Sequence, residues 1–129
     1  MLHREQDIIQ WAKDRGIFDP EHGSSKNRQA DKTMEEIGEL FEAIDENNTA
    51  LAMDAIGDII VTLVIQAHMW NLNITECVEA AWQEIKDRKG RMINGQFVKR
   101  VSIDDATPEE WDEAARSNLN ERRQQNTEA

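Results

Sequence analysis

The sequence predicts an all-α fold: an antiparallel bundle of about four helices, then a short C-terminal β-hairpin and an acidic terminal helix. Three observations carry that expectation. Apolar residues recur at three- and four-residue intervals in successive segments, as they do along helices with one buried side. Aromatic content is only 5%, with no tyrosine, and two prolines and six glycines supply little turn material for a sandwich or barrel. Asn94-Gly95, set between Met92-Ile93 and Phe97-Val98, is a strong short-hairpin signal. At 129 residues the chain suits one domain with a real core, expected over residues 1–100, with 101–129 as an acidic, partly helical extension.

Ile8, Ile9, Trp11 and Ala12 predict a first helix over about residues 4–15, ended by Gly16. "IFDPEHGSSKN" reads as a loop with Ser24 or Ser25 capping a second helix of about 26–46. Met34, Ile37, Phe41 and Ile44 are expected to form the buried stripe of that helix. Asn48 or Thr49 caps a third helix over about 50–71, and "NLNIT" separates it from a fourth over about 75–90. Val78, Ala81, Trp82 and Ile85 are expected on the inner side of the fourth. After the hairpin, Thr107 and Pro108 start the polar terminal helix.

Charge narrows the function classes. The net charge is −11, and residues 31–60 hold nine acids against the single Lys32. Residues 83–100 reverse the balance, with Lys86, Arg88, Lys89, Arg91, Lys99 and Arg100 against Glu84 and Asp87. A nucleic-acid binder should carry a basic face, so no nucleic-acid partner is expected. An acidic block and a basic block in one small domain suit a metal ion together with a phosphorylated small molecule. Cys77 is the lone cysteine, which excludes an internal disulfide and a CxxC metal site and suits a reducing compartment. No stretch of "MLHREQDIIQW" has the apolar core of a signal peptide. The longest unbroken apolar run near the middle, Ile59–Ile65, falls far short of a span of roughly 20 residues, so a cytoplasmic protein without a membrane partner is expected.

The acids themselves form a pattern. Glu35, Glu39, Glu42 and Glu46 share one strip of the second helix, with Glu36 at its edge. Asp54, Asp58, Thr62 and Gln66 are the polar seam of the otherwise apolar third helix. An ionised carboxylate removed from water needs a partner. These two helices offer only Arg28 and Lys32 as cations, too few for complete ion pairing. The two seams are therefore expected to converge on one or more divalent cations. All-oxygen donors suit Mg²⁺, with Mn²⁺ as a substitute, rather than zinc. A ferritin-like site would need Glu-x-x-His pairs, but Ile65 stands three residues before His68.

"KTMEEIGELFEAI", followed by "DAIGDIIVTLVIQA" and then "EIKDRKGRMINGQFVKR", resembles the MazG-like nucleoside triphosphate pyrophosphohydrolases over about residues 8–100. The closest likeness is to the compact single-domain type often carried by phages. The resemblance implies an all-α enzyme that uses Mg²⁺ to split a nucleotide between its α- and β-phosphates. By position it implies Glu36, Glu39 and Asp58 as metal ligands, with Glu35 as an additional or outer ligand. The family pattern has a glutamate three residues before the last aspartate; here that position is Ala55, and Asp54 is read as its replacement. The chemistry assigns Glu35 as proton acceptor, with Glu36 beside it. Lys86, Arg88, Lys89, Arg91 and Lys32 would neutralise the departing pyrophosphate. Trp11, Arg28 and Gln29 fall where the resemblance implies base contacts, although Trp11 at helical spacing from Ile8 also suits a core position.

The resemblance further implies a homo-oligomer, a tetramer in preference to a dimer, and an apolar third helix with Trp70 and Trp82 agrees with a bundle too small to cover itself. A purine deoxynucleotide such as dGTP is the expected substrate, though no residue argues for it. Two rivals stand beside this expectation. One is a dUTP or phosphoribosyl-ATP pyrophosphohydrolase. The other is a non-catalytic acidic factor that binds protein or mimics DNA, which should spread its carboxylates over exposed faces rather than set Asp58 among isoleucines.

Overall fold

Helical periodicity becomes four helices in the structure, a computed structural model that describes residues 2–99. They are α1 (Glu5–Asp14), α2 (Lys26–Asp45), α3 (Thr49–Met69) and α4 (Ile74–Ile85), followed by strands β1 (Gly90–Ile93) and β2 (Gln96–Lys99). The all-α fold class with a small hairpin is as expected. The acidic terminal helix, with its cap at Thr107, and Arg100 lie outside the described residues.

Local chemistry sets the boundaries. Gly16 follows α1 with φ +72°, a left-handed conformation in which a side chain is strained. A single 3₁₀ turn, Pro20–His22, occupies the loop. Ser25 accepts the Arg28 amide at 3.1 Å and caps α2, while Asn48 accepts the Leu51 amide at 3.1 Å and caps α3. The start of α4 is capped from a distance. Glu5, buried in α1, accepts the Ile74 amide at 2.6 Å and the Thr75 hydroxyl at 3.4 Å. That carboxylate ties the first helix to the fourth and satisfies donors that a helix start otherwise leaves open.

Helices α2 and α3 make the main packing contact, and α1 lies against α3. The pair is antiparallel. Gln66 donates to the Lys26 carbonyl at 3.0 Å, and Gln29 to the Thr62 carbonyl at 3.1 Å. Thr33 donates to the Thr62 hydroxyl at 2.9 Å, so the register runs onward to set Glu36 beside Asp58. The core is small: Ile9, Ala12, Ala43, Ala55, Val64, Ile65 and Ala67.

Several expectations need correcting. Of the expected buried stripe of α2 only Ile37 is half-buried, while Met34 at 65%, Phe41 at 62% and Ile44 at 62% are exposed in the single chain. The side of α2 that is buried carries Gln29, Glu36 and Ala43, seven residues apart; Gln29 has its partner in the Thr62 carbonyl of α3, and Ala43 is small enough for close packing. Val78, Trp82 and Ile85 of α4 are likewise exposed. The fourth helix also stops at Ile85 rather than near residue 90. Its continuation, Lys86-Asp87-Arg88-Lys89-Gly90, offers no apolar residue to pack and passes through a turn into β1.

Unbroken apolar runs underestimated α3. Its 21 residues give it the length, and an 18-residue window within it, at 1.8, the mean hydropathy of a membrane span. Its face toward α2, however, carries Asp58 and the Thr62 hydrogen bonds, which belong to a helix packed in a bundle.

The contacts divide the chain after Ala80 into two compact units. In the second, β1 and β2 pair antiparallel, Gly90 opposite Lys99 and Ile93 opposite Gln96, around the expected turn. Asn94 (φ +50°) and Gly95 (φ +80°) take the two left-handed positions that a tight hairpin demands.

Candidate active site

The carboxylates converge inside the first unit. Glu36 from α2 is only 7% exposed, and it is met by Glu39 one turn on and by Asp58 from α3. One carboxylate oxygen from each lies within 4.8 Å of the others. Glu36 Oε2 is buried with no hydrogen-bond partner. An orphaned acceptor in such a place costs about 1–3 kcal/mol, more when charged.

Lys32, one turn before Glu36, is the cation beside this group. Its Nζ lies 3.2 Å from Glu35 Oε2 and 3.7 Å from Glu36 Oε1. One ammonium cannot neutralise three carboxylates, and the acids of the site are left with an excess of negative charge. Burial pushes the Glu36 carboxyl above its ordinary range, and hydrogen bonding and charge from Glu39 push the same way, against the pull of Lys32. Asp58 is raised too, first by burial and then by the charges of Asp54 and Glu36. The Lys32 ammonium is held above its usual value chiefly by its hydrogen bond to Glu35. Burial and crowding of like charge thus both disfavour the ionised carboxylates of Glu36 and Asp58, and a cation placed among them would relieve the second effect.

The residues fit a divalent cation. Three carboxylates, one with an unsatisfied buried oxygen, form an all-oxygen donor set suited to a hard ion. Glu35 stands outside the trio, exposed and paired with Lys32. Asp54 also stands outside it, exposed, and acts on Asp58 through its charge. Ala55 is buried in the helix packing, so a small side chain fills the place where the family pattern has a glutamate.

Glu36, Asp58 and Lys32 also line a cavity of about 560 Å³, within the range of small-molecule sites. It runs along α2 past Lys32 to Arg28 and Gln29, and is bordered by Trp11, Arg15 and the loop ahead of α2. All three expected base-contact residues, Trp11, Arg28 and Gln29, are therefore on its wall. Trp11 is 45% exposed and is not a core residue. His68, by contrast, packs against Phe18 with ring centroids 4.6 Å apart, consistent with a helix-end packing role.

Lys86, Arg88, Lys89 and Arg91 belong to the second unit, on the turn after α4 and on β1. Sequence reasoning missed Arg15, whose guanidinium lies 4.4 Å over the Trp11 ring and donates to the Trp11 carbonyl at 3.0 Å. The four-residue spacing to Trp11 was the available signal. It also missed Glu5, which nothing in the local pattern distinguishes from an ordinary exposed acid.

The family model described as phosphoribosyl-ATP pyrophosphohydrolase matches residues 5–89, which takes in all four helices. The chain belongs to this family. Both acidic helices and the loop that borders the cavity fall inside the matched region. A 62-residue stretch is 39% identical to an uncharacterised 18.2 kDa protein from the rep-hol intergenic region of Haemophilus phage HP1 (strain HP1c1). That alignment spans 48% of this chain and 36% of the phage protein's length. No solved structure matches the chain significantly.

Proposed function

We propose that the protein hydrolyses nucleoside or deoxynucleoside triphosphates to the monophosphate and pyrophosphate, using Mg²⁺, with Mn²⁺ able to substitute. The observation that carries this is the buried, unpartnered Glu36 oxygen grouped with Glu39 and Asp58 at one end of a nucleotide-sized cavity. Membership of a family named for pyrophosphohydrolysis supports it.

Glu36, Glu39 and Asp58 would hold the cation, and Asp54 would add a ligand in place of the glutamate absent at position 55. When bound, the ion would withdraw charge from the phosphate oxygens and make a nearby water more acidic. Glu35, oriented by Lys32, would take the proton from the attacking water, with Glu36 closing the acidic wall beside it. Lys32 would balance charge on the phosphate chain and on the departing pyrophosphate. Trp11, Arg28 and Gln29 would line the nucleoside end.

The uncovered apolar residues of α2, α3 and α4 support a homo-oligomer, and we favour a tetramer over a dimer. The protein would then work in the cytoplasm, that of the host if a phage encodes it, with residues 101–129 as an appended acidic segment.

One second reading has an observation behind it. The matching family is described by phosphoribosyl-ATP, so that compound is a candidate substrate. The test is incubation with each of the eight common triphosphates, dUTP and phosphoribosyl-ATP in Mg²⁺, with the products identified. Monophosphate plus pyrophosphate is expected from at least one triphosphate and should vanish in Asp58→Asn. Release of orthophosphate alone, or no turnover of any of them, would overturn the proposal.

A further inference from the structure

The end of the cavity remote from the carboxylates has its own chemistry. Arg28 is two turns before Glu36, so about 12 Å of helix separate them. Beyond Arg28 the wall comes from the end of α1 and the loop ahead of α2, and among the described residues that line it there is no carboxylate. Two arginines, Arg15 and Arg28, line this end. Arg15 is already organised: stacked at 4.4 Å on Trp11 and anchored by one hydrogen bond to the Trp11 carbonyl. A guanidinium has five N–H donors, so this single bond leaves most of the fork available.

We infer that Arg15 is a specificity-determining residue that selects nucleobases presenting adjacent acceptors, above all the O6 and N7 of a 6-oxopurine. This rests on the hydrolase proposal and assigns the substrate class of the same cavity. Two acceptors side by side match two parallel guanidinium N–H groups. Adenine sets an amino donor beside its N7 and cytosine presents an amino group, so each would bring N–H against N–H. A carboxylate could accept those amino groups, but none is among the described residues lining this end of the cavity. Trp11, with Arg15 over its ring, adds an aromatic surface next to the fork, so stacking and readout come from one unit of α1.

The experiment compares kcat/KM for GTP, ITP, 7-deaza-GTP and ATP, in the deoxy series as well, for wild type, Arg15→Ala and Arg15→Lys. Wild type should favour GTP and ITP over ATP, since inosine keeps O6 and N7. 7-deaza-GTP should lose much of that advantage. Arg15→Ala should cut the GTP-to-ATP ratio about fivefold to 150-fold, and Arg15→Lys should restore it only in part. Binding of a non-hydrolysable GTP analogue, followed by calorimetry, should weaken in Arg15→Ala. An unchanged GTP-to-ATP ratio in Arg15→Ala, or a wild type that prefers ATP, would overturn the inference and leave the hydrolase proposal standing. Absence of all turnover with retained selective binding of the GTP analogue would sink the hydrolase proposal alone.

Discussion

Glu36→Gln is the most informative single perturbation, because hydrolysis and stability should respond in opposite directions. In the metal-free protein Glu36 is buried within 4.8 Å of two other acids. Two unit charges at that separation repel by about 3.5 kcal/mol at an effective dielectric of about 20. Lys32 offsets part of this, and Glu39 is exposed, so the net relief from neutralising Glu36 is about 1 kcal/mol. For a domain of this size that is a rise of about 4 °C in Tm without metal. Wild type should instead gain from the ion, by about 2.7 kcal/mol at a hundredfold excess over Kd. The assay is thermal unfolding of both proteins in EDTA and in Mg²⁺. Glu36→Gln should start higher in EDTA and show little Mg²⁺ response. A variant less stable than wild type in EDTA, or equally stabilised by Mg²⁺, would refute the claim that carboxylate repulsion awaits a cation.

Three further outcomes are expected. Glu36 and Asp58 have raised carboxyl pKa values in the folded state, so the folded protein binds more protons than the unfolded one. Their contribution favours folding below the ordinary carboxylate range of about 4 and is lost as pH rises through the raised values. Metal-free unfolding at stepped pH should show that loss in wild type and a smaller one in Glu36→Gln; equal slopes would count against it. Lys32→Met removes a cation 3.7 Å from Glu36, so by calorimetry Mg²⁺ should bind several-fold more tightly while hydrolysis falls; unchanged Mg²⁺ affinity would deny that the ammonium competes for the site. Glu5→Ala removes the cap on α4 and should cost about 1–2 kcal/mol by urea unfolding, and a loss below about 0.5 kcal/mol would mean the bond contributes little.

Much of this was legible in the sequence, for identifiable reasons. Helix starts at Ser25 and Asn48 and the Asn94-Gly95 turn depend on local chemistry that a few residues encode. That acids of α2 and α3 converge was legible because helical spacing fixes faces and the cation count ruled out simple pairing. Spacing put Glu35 on the acidic strip and Glu36 only at its edge, however, and the trio Glu36, Glu39 and Asp58 came from the family resemblance. The apolar stripe of α2 misled because periodicity reports which residues share a face, not what covers it. Its Met34–Phe41–Ile44 face is open in the single chain, while the neighbouring polar face is buried against Thr62. The Glu5 bond to Ile74 joins positions 69 residues apart, and no local pattern can announce it. Arg15 was missed because it follows the last turn of α1, where a basic residue ordinarily needs no explanation beyond the helix dipole.

Direct titration with Mn²⁺, followed by electron paramagnetic resonance, tests the central claim most closely. The full chain should take up Mn²⁺ with Mg²⁺ competing, and Asp58→Asn and Glu36→Gln should each bind it at least tenfold more weakly. Failure of the wild type to bind Mn²⁺, or undiminished binding by both variants, would contradict it.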